Sequence, residues 1–336
     1  MSARVRLDDI AKLAGVSPAT VSRVINGTGQ VRESTAESVR LAMDTLGYDR
    51  PSALSRTSLA PVGLILPELT NPVFANYAHH LQLELAHRGH PAFICSQAPG
   101  GMTENQLIDS LLSAGCAGLI FVCGRHADSQ ANLEQYQELL DKEIPFVLIN
   151  GPRSELAAPS VCVNYDAGMQ TAIYHLKQLG HRKIALVCGR DNAIPAKLQR
   201  DAYQTYMEKN FGADSLTVIP TFYTFAGGQS AAQEVIRAGA TAVIAGSDLQ
   251  ALGVISGATS LGAKVPQDLS VIGFDDSALM THTTPPLTTL RQPVVTIANA
   301  AVQVLSEEIS ANKLQTCELR FAPDLIQRGS TTPPLN

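Results

Sequence analysis

The chain has 336 residues, of which 45% are hydrophobic, and its formal net charge is −5. This length exceeds what one ordinary domain needs, so two or three folded units are expected. The acidic balance argues against a general nucleic-acid coat protein. No continuous apolar run reaches the ~18 residues of a membrane span, and MSARVRLDDIAKLAGVS lacks the apolar core of a signal peptide, so we expect a cytoplasmic protein.

The charge is unevenly distributed along the chain. Residues 1–60 contain eight Arg and Lys against six Asp and Glu, which makes this part +2 and leaves the remainder at −7. A basic N-terminal unit on an acidic body is typical of a regulator that contacts phosphates at one end only.

The first 48 residues predict three short helices. LDDIAKLA (7–14) repeats its apolar residues at helical spacing, and a Gly-containing turn follows it. Ser17 suits an N-cap and Pro18 the first position of a second helix, which ends at Asn26. A third helix is expected over about 34–46. Two helices joined by a tight turn indicate a helix-turn-helix.

The second helix carries the residue types that read DNA. The guanidinium of Arg23 can contact guanine in a bidentate manner, and the small Pro18 and Ala19 leave room near the start of the helix. Short polar side chains nearby can bind phosphates or cap the helix. A small unit that packs only against protein is the alternative. The predicted DNA contacts here are Ser17, Pro18, Ala19, Thr20, Ser22, Arg23 and Asn26.

After a Ser-rich segment, DRPSALSRTSLA (49–60), which we interpret as a linker or as a segment that orders on binding, short apolar runs alternate with helical patterns. The predicted strands are 62–66, 91–95, 118–122, 145–150, 160–164, 183–189, 242–246, 269–274 and 319–326. The predicted helices are about 73–88, 103–114, 132–140, 167–179, 198–210, 229–238, 249–261 and 295–309. Apolar strands between helices indicate parallel sheets covered on both faces. We therefore expect two doubly wound α/β halves that meet near residue 160.

The sequence also resembles a known family. LDDIAKLAGVSPATVSRVINGTGQVRESTAESVRLAMDTLGY resembles the headpiece of LacI/GalR family repressors. LPELTNPVF, LGHRKIALVCG, GSDLQALGVI, VPQDLSVIGFDDS and PPLTTLRQP resemble the core of that family. Within the family, the DRP-type linker, APGG, GLIFVCGRHAD and LIQRGST look most like the maltose-operon repressors of high-GC Gram-positive bacteria.

The resemblance implies a three-part architecture. Residues 1–48 would form the helix-turn-helix DNA-binding domain and residues 49–61 a hinge linker. A periplasmic-binding-protein-like core of two doubly wound α/β subdomains would follow. Its N-subdomain would comprise 62–164 plus 294–322, and its C-subdomain 165–293 plus 323–331.

The resemblance further implies a sugar effector held between the subdomains. Asn and Asp side chains suit vicinal hydroxyls, an aromatic ring packs on the sugar ring, and ligands of open α/β sheets bind where strands end. Where many members carry a clamping Arg, this chain offers Lys197, Gln199 or Arg200, and the choice among the three stays open. Asp276 is interpreted as structural. The implied effector contacts are Asn71, Phe74, Asn150, Gln199, Arg200, Tyr223, Ser247, Asp248 and Asp275.

Leu7 and Tyr48 complete the expected DNA contacts. In the family, a leucine of the hinge inserts between base pairs in the minor groove. Leu54 is the candidate here, with Leu59 as the second choice. The hinge is shorter and richer in serine than is usual for the family, which leaves the wedge role open.

We therefore predict a homodimeric repressor of carbohydrate-utilisation genes, since one short helix per protomer reads too few base pairs for specificity. A sugar, maltose or a related α-glucoside, would release it from a pseudo-palindromic operator. The alternatives are a sugar-binding protein of a transport system, a corepressor-type regulator and a sugar enzyme. No catalytic constellation, metal-ligand spacing or P-loop lysine is present, so we expect no enzyme activity, no cofactor and free cysteines.

Overall fold

The computed structural model describes residues 6–26, 31–46, 48, 59–97, 100–212, 215–311 and 316–335, with the backbone alone for 26, 33 and 44. Met1–Ser58 and Leu59–Asn336 form two compact units, and each is described by itself.

The smaller unit contains three helices, α1 (Leu7–Ala14), α2 (Pro18–Asn26) and α3 (Glu33–Leu46). Gly15 ends α1 in the left-handed region at φ 67°, which glycine adopts without a steric penalty. Ser17 Oγ accepts a hydrogen bond from the Thr20 backbone N–H at 3.1 Å, which confirms the expected N-cap. The helices enclose a small core of Ile10, Ala11, Val21, Val39 and Ala42.

The larger unit contains two six-stranded sheets. The first has the order β11-β5-β4-β3-β1-β2, and every pairing in it is parallel. Its strands are β1 (Val62–Leu66), β2 (Ala92–Ser96), β3 (Gly118–Val122), β4 (Phe146–Ile149), β5 (Ser160–Val163) and β11 (Glu318–Phe321).

The second sheet has the order β12-β10-β9-β8-β6-β7 and is parallel except for the antiparallel pair of β10 with β12. Its strands are β6 (Ile184–Cys188), β7 (Val218–Pro220), β8 (Ala242–Ala245), β9 (Ser270–Asp275), β10 (Thr288–Arg291) and β12 (Asp324–Ile326).

Helices cover the faces of both sheets, so the fold is the expected α/β class with two doubly wound halves. The central strands are buried along their whole length, which explains their continuous apolar runs. The helices are α4 (Pro72–His87), α5 (Glu104–Ser113), α6 (Glu134–Asp141), α7 (Tyr165–Gln178), α8 (Ile194–Phe211), α9 (Phe225–Arg237), α10 (Asp248–Ser260) and α11 (Val294–Ala311). In the described part of the chain, no helix is both long and apolar enough to cross a bilayer.

The structure differs from the sequence predictions in three strands. The single strand expected over 319–326 is two strands, and β11 and β12 belong to different sheets. Pro323 lies between them, and proline cannot donate to a ladder. The other two strands were not predicted. β7 has only three residues and lies at a sheet edge, while β10 reads TTLR and lacks an apolar run.

The chain passes between the two sheets after β5, after β10 and between β11 and β12. After β10 it returns to the first half, where α11 packs against α4 and the first sheet. These crossings bring the carboxyl ends of strands from both sheets together around one cavity.

Candidate functional site

A cavity of about 330 Å³ lies between the two sheets. This volume is near the lower end of the range of about 300–1,000 Å³ that small-molecule sites occupy. Its lining comes from the segments that follow β1, β3, β4, β6, β7, β8 and β10, from the end of β9, from the first two turns of α4 and α8, and from the start of α7. It contains the predicted residues Asn71, Phe74, Asn150, Gln199, Tyr223, Ser247 and Asp275.

On the side of the first sheet, Asn71 precedes α4 and caps it. Its Oδ1 accepts from the Val73 backbone N–H at 3.4 Å, and Pro72 occupies the first helical position. Phe74 follows in the first turn, half-buried against the cavity. The sequence NPVF thus places an amide and an aromatic ring side by side.

Asn150 lines the cavity, but its amide is already used within the protein. Its Nδ2 donates to the Tyr77 hydroxyl at 3.1 Å, and its Oδ1 accepts from the Val163 backbone N–H at 2.9 Å. Tyr77 in turn donates to Gln292 Oε1 at 2.8 Å. Asn150 therefore orients Tyr77 and Gln292.

The chain of hydrogen bonds ends at Asp275, where Oδ1 accepts from Gln292 Nε2 at 2.5 Å. Asp275 ends β9 with φ 122°, a backbone conformation that few non-glycine residues adopt. Burial, and then the neighbouring Asp248 carboxylate, raise the pKa of Asp275 well above its ordinary value. A buried carboxyl of this kind is suited to accept or donate hydrogen bonds with a ligand hydroxyl.

On the side of the second sheet, Tyr223 donates from its hydroxyl to Gln199 Oε1 at 3.2 Å. Gln199 Nε2 donates to the Gly246 carbonyl at 3.3 Å. A Cβ at Gly246 would approach Gln199 Oε1 to 2.7 Å, so a side chain at this position would displace the Gln199 amide. Ser247 follows and caps α10 by accepting from the Gln250 backbone N–H at 3.2 Å.

Two predicted effector contacts are absent from the cavity lining. The Asp248 carboxylate accepts from the Thr289 hydroxyl at 2.6 Å and from the Ser277 backbone N–H at 2.7 Å, so it ties α10 to the segments around β9 and β10. Arg200 forms an ion pair with Asp191. A helix turns about 100° per residue, so Gln199 faces the cavity while its neighbour faces elsewhere. Of the three candidates on α8, the structure brings only Gln199 to the cavity, and Lys197 is exposed.

The rim of the cavity was not anticipated from sequence. Asn192 Nδ2 donates to Asp128 Oδ2 at 2.9 Å, and the Ser129 backbone N–H donates to the Asn192 carbonyl at 2.8 Å. These bonds join the segment after β3 to the segment after β6 across the opening. Glu68 and Arg190 also line the rim. Gln292 was missed because the strand before it has no apolar run.

A buried network supports the segment after β3. Glu104 on α5 accepts from Gln97 Nε2 at 2.7 Å, from the Arg125 backbone N–H at 2.9 Å and from the Tyr136 hydroxyl. His126 is fully buried, and burial lowers its pKa to about 4. These contacts fix the backbone of 124–128, which includes the lining residues Gly124, Ala127 and Asp128.

In the smaller unit, most predicted DNA contacts are accessible. Leu7, Ser17, Pro18, Ala19 and Arg23 are exposed, and Thr20, Ser22 and Tyr48 are half-buried. Tyr48 packs against the core of the unit. The Asn26 side chain and Leu54 lie outside the described residues.

Leu59, the second wedge candidate, belongs to the larger unit. Its backbone N–H donates to the Gly89 carbonyl at 3.3 Å. Among the residues that the structure describes, no group of three or more His, Cys, Asp or Glu is arranged to hold a metal, and the six cysteines are free.

Comparisons with known proteins agree with this description. Residues 6–51 match the family model "Bacterial regulatory proteins, lacI family", and residues 173–331 match "Periplasmic binding protein-like domain". The HTH-type transcriptional regulator MalR of Streptomyces coelicolor is 43% identical over 97% of this chain and 96% of its own length.

Two solved structures share the fold over nearly the whole chain. The transcriptional regulator CelR–cellobiose complex is 25% identical with a TM-score of 0.70, covering 97% of this chain and 100% of that one. The lac repressor dimer bound to operator and the anti-inducer ONPF is 22% identical with a TM-score of 0.70, covering 98% and 99%.

Proposed function

The chain belongs to the LacI family of bacterial regulatory proteins, and from this premise we propose that it represses carbohydrate-utilisation genes and is released from its operator by a sugar. Like its relatives, it is a DNA-binding transcriptional regulator and not an enzyme. The proposed repressor acts in the cytoplasm as a homodimer on a pseudo-palindromic operator.

The observation that carries the sugar proposal is the composition of the cavity between the two sheets. Buried amides and hydroxyls, one buried carboxyl and several aromatic rings converge there. Such a set matches the hydroxyls and the apolar faces of a sugar ring. The proposed effector contacts are Asn71, Phe74, Gln199, Tyr223, Ser247 and Asp275, with Asn150 as an orienting residue.

Maltose or a related α-glucoside is the proposed effector. The motifs that resemble maltose-operon repressors support this choice, as does the 43% identity to MalR. A glucose disaccharide, cellobiose, is bound in one solved structure of the same fold, which supports a disaccharide of this general size.

A homodimer is supported by exposed apolar side chains on the first half of the larger unit. β2 is an edge strand, and its neighbouring residues Phe93 and Ile94 are 42% and 41% exposed. Leu83 on α4 is 43% exposed. α4 and β2 contact each other, and large exposed apolar side chains on neighbouring elements are typical of protein interfaces.

The proposed mechanism couples the cavity to the operator. Domain 1–48 would read the major groove through Arg23, and residues 49–61 would act as the hinge. Sugar binding would shift the two halves of the core and disfavour the paired hinge geometry. A coupling free energy of about 1–3 kcal/mol changes operator affinity by about 5–150-fold.

Gel-shift titration of the operator fragment with and without maltose tests this proposal. We expect maltose to weaken operator binding, while galactose and ribose at the same concentration have little effect. Stronger operator binding with maltose would make the protein a corepressor-type regulator. No response to any α-glucoside would reject the proposed effector.

A further inference from the structure

We propose that the cavity selects an uncharged sugar and rejects phosphate esters of sugars, so the repressor senses its effector before any phosphorylation step. The inference rests on the proposed function, because it assumes that the cavity is the effector site.

The cavity lining carries more negative than positive charge. Three carboxylates, those of Glu68, Asp128 and Asp275, line it against one guanidinium, that of Arg190. If Asp275 is counted as protonated because of its burial, two carboxylates still face one cation. A phosphate monoester carries close to two negative charges at neutral pH, so its entry is opposed.

The carboxylates and the guanidinium at the cavity differ in their surroundings. Glu68 and Asp128 are half-buried, and each is held by a hydrogen bond, from the Thr70 hydroxyl and from Asn192 respectively. Arg190 is exposed, and its guanidinium carbon lies 5.1 Å from the centroid of the Phe222 ring. Each carboxylate thus has a hydrogen-bond donor beside the cavity, while the guanidinium packs on an aromatic ring.

The helix starts at the cavity offer a phosphate few free donors. Free backbone N–H groups at a helix N-terminus commonly bind phosphate. Here the first turn of α4 begins with Pro72, which has no N–H, and Asn71 Oδ1 accepts from the Val73 N–H. At α10, Ser247 Oγ accepts from the Gln250 N–H. These caps occupy donors of α4 and α10 that a phosphate would use. α8 also begins at the lining and has no side-chain cap, but Pro195 in its first turn supplies no N–H.

Matched sugar pairs test the inference by calorimetry on the full-length protein. The pairs are maltose with maltose 1-phosphate and glucose with glucose 6-phosphate. We expect each phosphate ester to bind at least about tenfold more weakly than its parent, which corresponds to about 1.4 kcal/mol. Because Glu68 and Asp128 are partly exposed, raising the salt concentration should reduce the ratio of the dissociation constants of the phosphate ester and its parent sugar. Purely steric exclusion would be unaffected by salt.

The variant Glu68→Gln should also reduce this ratio of dissociation constants for each sugar pair. The control is Glu234→Gln, at an exposed position of α9 outside the lining, which should leave the ratio unchanged. Equal or tighter binding of the phosphate esters would overturn the inference and leave the sugar-responsive repressor standing. Failure of every uncharged sugar to bind would overturn it together with the proposed effector. Gel shifts would report operator binding independently.

Discussion

Gln292 and Asp275 form a hydrogen bond at the base of the cavity, with Gln292 Nε2 donating to Asp275 Oδ1 at 2.5 Å. The same amide accepts from Tyr77 of α4 through its Oε1. Tyr77 belongs to the first half of the core and Asp275 to the second half. One side-chain amide therefore connects the two halves next to the proposed sugar site, and a ligand that contacts Asp275 also acts on this connection.

Replacement of Gln292 by alanine should weaken both the connection and the site. Tyr77 and Asp275 would each lose a buried partner, so we expect the free energy of unfolding to fall by about 1–3 kcal/mol. Maltose affinity should fall by about tenfold or more, measured by calorimetry. Gln303→Ala on the exposed face of α11 is the matched control and should change neither quantity. Unchanged maltose affinity in Gln292→Ala would show that the amide is structural only.

The example of Gln292 shows where prediction from sequence ends. Continuous apolar runs identified the buried central strands, because a strand covered on both faces has no polar alternation. β10 pairs with a neighbour on each side but reads TTLR, and its threonines make specific hydrogen bonds with Asp248 and with the segment around Ser330. The hydrophobic periodicity of a sequence gives no information about such hydrogen-bond partners. The residue that follows β10 was therefore not placed at the site.

The directions of the side chains at the site could not be predicted from the sequence either. Asn71 and Ser247 were expected after predicted strands and Tyr223 from the family resemblance alone, and the cavity includes all three. Asp248 follows Ser247 directly, yet its carboxylate turns to Thr289 and Ser277. The choice among neighbouring residues at a helix start depends on partners distant in the sequence, so one sequence alone could not settle it.

The distinction between Asp248 and Asp275 is testable through stability and pH. Burial raises the pKa of Asp248 to about 6 in the folded protein. The folded state then holds a proton that the unfolded state has released between about pH 4 and pH 6. The contribution of Asp248 to the free energy of unfolding therefore declines as the pH rises through this window. Asp248→Asn cannot titrate.

From pH 4 to pH 6, the free energy of unfolding of the wild type should therefore fall relative to that of Asp248→Asn, as measured by urea denaturation. Maltose affinity of this variant should stay within about threefold of the wild type, because Asp248 is outside the cavity lining. Asp275→Asn should instead weaken maltose binding by up to about tenfold, since the carboxyl faces the cavity and one hydrogen bond contributes about 0.5–1.5 kcal/mol. If Asp248→Asn lost more maltose affinity than Asp275→Asn, Asp248 would be the effector contact and Asp275 the structural residue.

Arg23 is exposed on α2 and is the proposed base contact of the headpiece. In Arg23→Ala we expect a loss of about 1–3 kcal/mol of discrimination at one base pair in each half-site. Binding to a panel of single-base operator variants measures this, with Lys12→Ala, another exposed cation of the smaller unit, as the control. A uniform loss on all sequences, with a shallower salt dependence, would instead identify a phosphate contact.

The buried Glu104 tests whether the segment after β3 is held in place for the sugar. Its carboxylate accepts from the Tyr136 hydroxyl, from the Arg125 backbone N–H and from Gln97, and all three of these groups are donors. In Glu104→Gln an N–H₂ group replaces one acceptor oxygen and confronts a donor. We expect a loss of about 1–3 kcal/mol in the free energy of unfolding, since a buried donor is left without an acceptor.

The more informative measurement is sugar affinity, because the segment 124–128 carries Asp128 to the rim of the cavity and to Asn192. If Glu104 positions this segment, Glu104→Gln and Tyr136→Phe should both weaken maltose binding at a temperature where each variant is fully folded. Operator binding without sugar should change less than maltose binding, because the headpiece is a separate compact unit. Glu138→Gln, which removes an exposed carboxylate of α6 that pairs with Lys142, controls for the loss of charge. Lower stability with unchanged maltose affinity would confine Glu104 to a structural role. Loss of both stability and maltose affinity in Glu104→Gln and in Tyr136→Phe would establish that this buried carboxylate orients the effector site.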